Sequence, residues 1–124
     1  MGVEKTTIKP GNGVDFPKKD DVVSMEYTGW LLDESKPDKK GTQFDSSVGR
    51  GDLSTPIGKG RVIKGWDNGI LGTDDGRPMS LGEKATLVIS PDYGYGERGF
   101  PNVIPPNSTL IFDVELKAIN GKKA

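Results

Sequence analysis

The chain has 124 residues, a formal net charge of −1, 18 glycines and 9 prolines, with no cysteine and no histidine. That length suits one domain spanning residues 1–124 with a small, turn-rich core. The missing residue types exclude a disulfide framework, a thiol nucleophile, a Ser-His dyad and thiolate or imidazole metal sites, so neither a metal nor a cofactor is expected.

Taken in chain order, Glu4–Lys9 reads as a short strand, followed by turn chemistry at Asn12-Gly13. Val23, Met25 and Tyr27 alternate with Ser24, Glu26 and Thr28, the period of a half-buried strand. Lys36–Gly41 is polar and predicts a surface loop, with short strands at Thr42–Ser47 and Leu53–Ile57. Ile63, Trp66 and Ile70 fall at helical spacing between Gly60 and Gly72, room for about two turns. Gly65 and Gly69 inside that span are poor helix formers, so tertiary contacts must hold it. Gly72–Pro78 is a second polar loop. Ala85, Leu87 and Ile89 alternate with Thr86, Val88 and Ser90 until Pro91 stops the run. Tyr93–Asn107 is too rich in glycine and proline for a regular element, yet Tyr93, Tyr95, Phe100, Val103 and Ile104 argue for order. Leu110, Phe112, Val114 and Leu116 then alternate with Ile111, Asp113, Glu115 and Lys117, the cleanest strand of all. The fold class is α+β: a curled antiparallel sheet, a half-barrel, wrapped around one short helix.

Several short motifs fail on context. Gly94-Tyr-Gly96-Glu-Arg-Gly99 has the spacing of a nucleotide-binding loop, but Phe100-Pro101 follows at once and no helix can begin there. Asp20-Asp21 and Asp74-Asp75 do not continue into calcium-loop spacing and read as solvated turns. The balanced charge gives no field toward nucleic acid, and no apolar run approaches the ~20 residues of a membrane span. A cytoplasmic setting is expected. What remains is aromatic. Tyr27, Trp30, Phe44, Trp66, Tyr93, Tyr95, Phe100 and Phe112 are either core or, in part, the lining of an apolar pocket. In the second reading, Asp45 and the tyrosine hydroxyls are its few polar points. An aspartate directly after an aromatic on a short strand must face water or find hydrogen bonds.

Five co-linear segments carry a resemblance: Tyr27-Thr28-Gly29, Phe44-Asp45-Ser46-Ser47, Val62-Ile63-Lys64-Gly65-Trp66, Pro91-Asp92-Tyr93-Gly94-Tyr95-Gly96 and Ile104-Pro-Pro-Asn-Ser-Thr-Leu-Ile-Phe-Asp-Val-Glu-Leu116. In order and approximate spacing they resemble the FKBP family, peptidyl-prolyl isomerases that also bind macrolide immunosuppressants. The resemblance runs from about Ile8 to Ile119. It implies a pocket with Trp66 as floor and Tyr27, Phe44, Val62, Ile63 and Phe112 as apolar walls. Asp45 and Tyr95 would supply polar contacts, the Ile63 N–H would bind a ligand carbonyl, and Arg50 would orient Asp45. Phe100 and Ile104 would overhang the rim. Leu53 stands where many members carry Phe, and the Asp33–Gly41 and Gly72–Met79 segments are longer than in minimal members.

By the same resemblance, Tyr27, Phe44, Asp45, Trp66, Tyr95 and Phe112 would act on X-Pro bonds of client proteins, in a monomer. Ligands would be macrolides such as tacrolimus or rapamycin, and the drug-loaded form would engage calcineurin or the TOR kinase. The alternative is a binding module that uses the same pocket to dock partners. Rotation about an amide breaks no covalent bond, so the missing histidine and cysteine are no obstacle to catalysis.

Overall fold

The alternating stretches become strands, and their pairing decides where the helix can lie. The computed structural model describes residues 2–72 and 77–124. Among them are β1 (Val3–Lys9), β2 (Val22–Leu32), β3 (Lys40–Ser46), β4 (Leu53–Pro56), α1 (Lys64–Leu71), β5 (Lys84–Ile89), β6 (Leu110–Ile119) and β7 (Lys122–Lys123). The seven strands form one open antiparallel sheet in the order β1-β5-β6-β2-β3. β4 pairs with the first half of β2, alongside β3, and β7 pairs with the end of β6.

One face of this sheet is the core. Val23 and Met25 of β2, Ala85, Leu87 and Ile89 of β5, and Leu110, Val114 and Leu116 of β6 are fully buried, together with Ile70 of α1. The period-two pattern in β5 alternates in burial at every position, as its sequence requires. The helix is held as expected, by tertiary contact. A Cβ on Gly65 would sit 2.6 Å from Ile89 Cγ2, and one on Gly69 would sit 2.9 Å from the Leu87 methyls. The two glycines that weaken the isolated helix are what let its backbone lie directly on β5.

The structure departs from the sequence reading in length rather than in kind. β2 continues past Thr28 to Leu32, because Gly29-Trp30-Leu31-Leu32 pairs with both β6 and β3 although its residues do not alternate. β3 begins at Lys40, so the last two residues of the expected Lys36–Gly41 loop are strand. β6 runs on to Ile119 by a register shift in which Ser24 faces Ala118 and Met25 faces Leu116, leaving Lys117 unopposed. A 3₁₀ turn forms at Pro91–Tyr93, leading into the stretch read as irregular from Tyr93 onward. The Asp20-Asp21 turn is as expected: Asp20 has φ 79° and the Asp21 carboxylate accepts the Lys18 N–H at 2.8 Å. The Asp74-Asp75 pair, and with it most of the Gly72–Pro78 loop, lies outside the described residues.

Candidate active site

The pocket begins with a backbone irregularity. Phe44 and Asp45 are neighbours on β3 and should point to opposite faces of the sheet. Across from them, Gly29 pairs with Asp45 but Trp30 pairs with Gln43, so Phe44 is an extra residue. This β-bulge turns both side chains toward one hollow. Gly29 completes the space: a Cβ there would lie 2.7 Å from Phe112 and 2.8 Å from Phe44, so both rings lean over it.

The hollow has a volume of about 390 Å³ and is lined by Tyr27, Phe44, Asp45, Leu53, Arg61, Val62, Ile63, Trp66, Tyr95 and Phe112. Trp66, in the first turn of α1, is 3% exposed and joins the core. Its indole meets the Tyr27 ring at 4.9 Å and 77° and the Phe112 ring at 5.3 Å and 86°. Phe112 meets Phe44 at 5.4 Å and 89°. Four aromatic rings thus brace one another edge to face, the geometry their quadrupoles favour. The Trp66 Nε1–H is buried without an acceptor among the described residues.

Asp45 is anchored on three sides. Its Oδ2 accepts the Tyr27 hydroxyl at 2.7 Å, and its Oδ1 accepts the Ser46 N–H at 2.9 Å and the Arg50 guanidinium at 2.6 Å. Arg50 also donates to the Ser46 carbonyl. The carboxylate has therefore found the bonds its position demanded. Burial, with the Asp45 hydrogen bond and charge behind it, pushes the Tyr27 phenol up from 10.0 to about 12. Burial and then the Asp45 charge raise Tyr95 as well. Both hydroxyls are neutral donors at physiological pH. Among the described residues, the Tyr95 hydroxyl finds no partner, and no backbone carbonyl takes the Ile63 N–H.

Ile63 is held at the mouth by its neighbours. It caps α1 without a side-chain hydrogen bond, accepting the Trp66 N–H at 2.9 Å. Just upstream, the Asp67 carboxylate receives the Gly58 and Gly60 N–H groups at 2.7 and 3.1 Å, fixing the segment that delivers Val62 and Ile63. The loop bearing Tyr95 is fixed too. Phe100 and Ile104 exchange backbone hydrogen bonds at 2.8 Å in both directions, and the Asn107 N–H reaches the Gly96 carbonyl at 2.9 Å.

Of the twelve expected pocket residues, nine line the cavity and three do not. Arg50 stands behind Asp45, in the orienting place expected of it. Phe100 is half-exposed and rests edge-on against Tyr95 at 6.0 Å. Ile104 departs from the expected rim placement: its side chain is only 4% exposed and belongs to the core. Arg61 was missed, and so was Asp67; an exposed arginine beside a glycine carries no periodic signal, and the Asp67 contacts depend on a turn the sequence does not spell out. A larger hollow of about 780 Å³ lies beside β1, with Lys5, Thr7, Arg77 and Glu83 in its wall. Its wall mixes these polar and charged groups with Val3, Pro10, Phe16 and Pro78, and none of the expected site residues reaches it.

An open antiparallel sheet with an aromatic-walled hollow over the start of one short helix is the architecture the sequence resemblance implied. Residues 13–117 match the family model for FKBP-type peptidyl-prolyl cis-trans isomerases. The chain belongs to that family and is a peptidyl-prolyl isomerase by class. It is 63% identical over 119 residues to FK506-binding protein 1 of Gibberella zeae, covering 96% of this chain and 99% of that protein. It is 58% identical to a peptidyl-prolyl cis-trans isomerase of Schizosaccharomyces pombe, with both chains covered in full. Among solved structures, it resembles a crystal structure of AtFKBP13 with a TM-score of 0.81 at 39% identity, covering 97% of this chain and 92% of the other. No helix among the described residues is long and apolar enough to cross a membrane.

Proposed function

We propose that residues 1–124 act as one isomerase domain that catalyses rotation about X-Pro bonds by desolvation and shape, with no proton transfer. The barrier to that rotation is ~18–20 kcal/mol, because amide resonance is lost on twisting, and uncatalysed exchange takes tens of seconds or more. The twisted amide is less dipolar than the planar one, so removing water from its carbonyl favours the transition state over the ground state. Only such a difference accelerates a reaction. Tyr27, Phe44, Trp66 and Phe112 supply the dry walls, Asp45 and Tyr95 the polar contacts, and the Ile63 N–H binds a ligand carbonyl. The observation that carries this reading is the edge-to-face aromatic box, which leaves a cavity of about 390 Å³ lined mainly by apolar groups.

The same cavity is proposed to take macrolides of the tacrolimus and rapamycin type, as the names of the Gibberella and Aspergillus relatives suggest. Docking of partner proteins is the second reading. Phe100 and Val103 are 51% and 42% exposed on the loop that carries Tyr95, an apolar rim for a protein surface to cover once the pocket is filled. Calcineurin and the TOR kinase are the proposed partners of that drug-loaded form, and the protein is taken to be a cytoplasmic monomer. A protease-free isomerisation assay on a proline peptide, with and without tacrolimus, tests the enzyme reading. Accelerated exchange that the macrolide abolishes is expected; an unchanged exchange rate at high protein concentration overturns it.

A further inference from the structure

We propose that Arg61 is a specificity determinant that makes this isomerase prefer X-Pro segments carrying an acidic side chain within two residues of the proline. The inference rests on the pocket reading above and names its substrate class. Among the described residues, two charged ones line the cavity, Asp45 and Arg61. Asp45 is neutralised in place, its two oxygens taken by the Tyr27 hydroxyl, the Ser46 N–H and the Arg50 guanidinium. Arg61 is exposed, and no carboxylate among the described residues pairs with it. Among the described residues, the mouth therefore keeps one uncompensated positive charge.

The backbone adds to it in the same direction. The N-terminus of α1 opens at Ile63, two residues after Arg61, with no side-chain cap to absorb its partial positive charge. Asp67 is not part of the cavity wall, and its carboxylate is committed to the Gly58 and Gly60 N–H groups. A substrate whose proline enters the apolar floor leaves its neighbouring side chains at this mouth. A carboxylate there gains an ion pair with Arg61, whereas an ammonium is repelled by Arg61 and finds the Asp45 oxygens already bonded.

The test measures kcat/KM for three proline peptides identical but for Glu, Gln or Lys at the residue after the proline, and again with the variation two residues before it. At low ionic strength the Glu peptide is expected to exceed the Lys peptide by about two- to fivefold in at least one series, the scale of an exposed ion pair. Raising salt from about 0.01 M to about 1 M shortens the screening length from about 30 Å to about 3 Å and should erase the difference. Arg61→Glu should reverse the order and Arg61→Gln should flatten it. Each preference is a ratio within one enzyme, so a loss of activity common to all peptides cancels. Equal rates for all peptides with an active enzyme, or a Glu preference that survives Arg61→Glu, overturns the proposal. Absence of turnover with every peptide would instead overturn the catalytic reading on which it rests.

Discussion

Helix α1 has two sides, and they are built to opposite standards. The side against β5 is closed: Gly65 and Gly69 bring backbone onto Ile89 and Leu87, and Ile70 is fully buried. The side toward the pocket is left open, with the Ile63 N–H and Tyr95 hydroxyl unpartnered and the Trp66 N–H buried without an acceptor among the described residues. Interiors rarely leave polar groups in that state. Tight packing on one side fixes the helix so that the other side can keep its donors free for a ligand, which is what a preorganised site requires.

Trp66 is where the two standards meet, so truncating it should do the most damage. Trp66→Ala removes the pocket floor and a core side chain together, and loss of a buried aromatic costs about 3–5 kcal/mol. Urea denaturation and macrolide titration should both register the change. Native stability with native affinity would show that the indole belongs to neither side.

Asp45→Val acts on the open side alone. It strands the Tyr27 hydroxyl and frees Arg50. Macrolide affinity is expected to fall by the worth of a hydrogen bond to a charged group, about 1.5–3 kcal/mol. If turnover rests on desolvation, as proposed, it should survive in large part. A drop in turnover of several powers of ten would make Asp45 a chemical participant.

Gly65→Ala probes the closed side. A methyl there meets the buried Ile89 side chain at 2.6 Å, and overpacking of this kind costs about 1–3 kcal/mol. The gain in helix propensity returns up to about 1 kcal/mol. A net loss of stability, with ligand affinity reduced less than by Asp45→Val, is expected from parallel denaturation and titration. A stabilised variant would mean that β5 yields and that the helix is not tightly seated.

The closed side was legible in the sequence and the open side only in outline. Ala85, Leu87 and Ile89 announce a half-buried strand because period two is a direct record of burial. The Phe44 bulge is invisible to that logic, since it reverses the facing of one residue without altering composition. Residue chemistry offered Phe44 and Asp45 as pocket candidates in one of two open readings, and resemblance to a family, not spacing, chose that reading. Ile104 shows the opposite limit, where a rim position in sequence turned out to be a core side chain because the loop folds back on itself through the Phe100 bridge. The β6–β7 hairpin was legible and passed over: Asn120-Gly121, with φ 49° and 84°, is the dipeptide that two-residue hairpin turns favour.

The smallest effects expected are with pH, and they separate the sides once more. With no histidine or cysteine in the chain, no side chain titrates at its ordinary value between about pH 6 and 9. If twisting the amide is the whole reaction, kcat/KM on a non-titrating peptide should be nearly flat over that range. Stability should show a feature only above it. Tyr27 in the folded protein holds its proton up to about pH 12, whereas in the unfolded chain it releases it near 10.0. Between those values the unfolded state binds fewer protons, so stability falls as pH rises. Below pH 10 this contribution is present in full, and above the folded value it is gone. Tyr27→Phe removes the titrating hydroxyl and should weaken the pH dependence in that alkaline window, which denaturation curves recorded from neutral to strongly alkaline pH would show. A single inflection of about tenfold in kcat/KM near neutrality would instead mean that Asp45 or Tyr95 exchanges a proton during turnover, and the open side would then be a chemical site and not only a dry, shaped one.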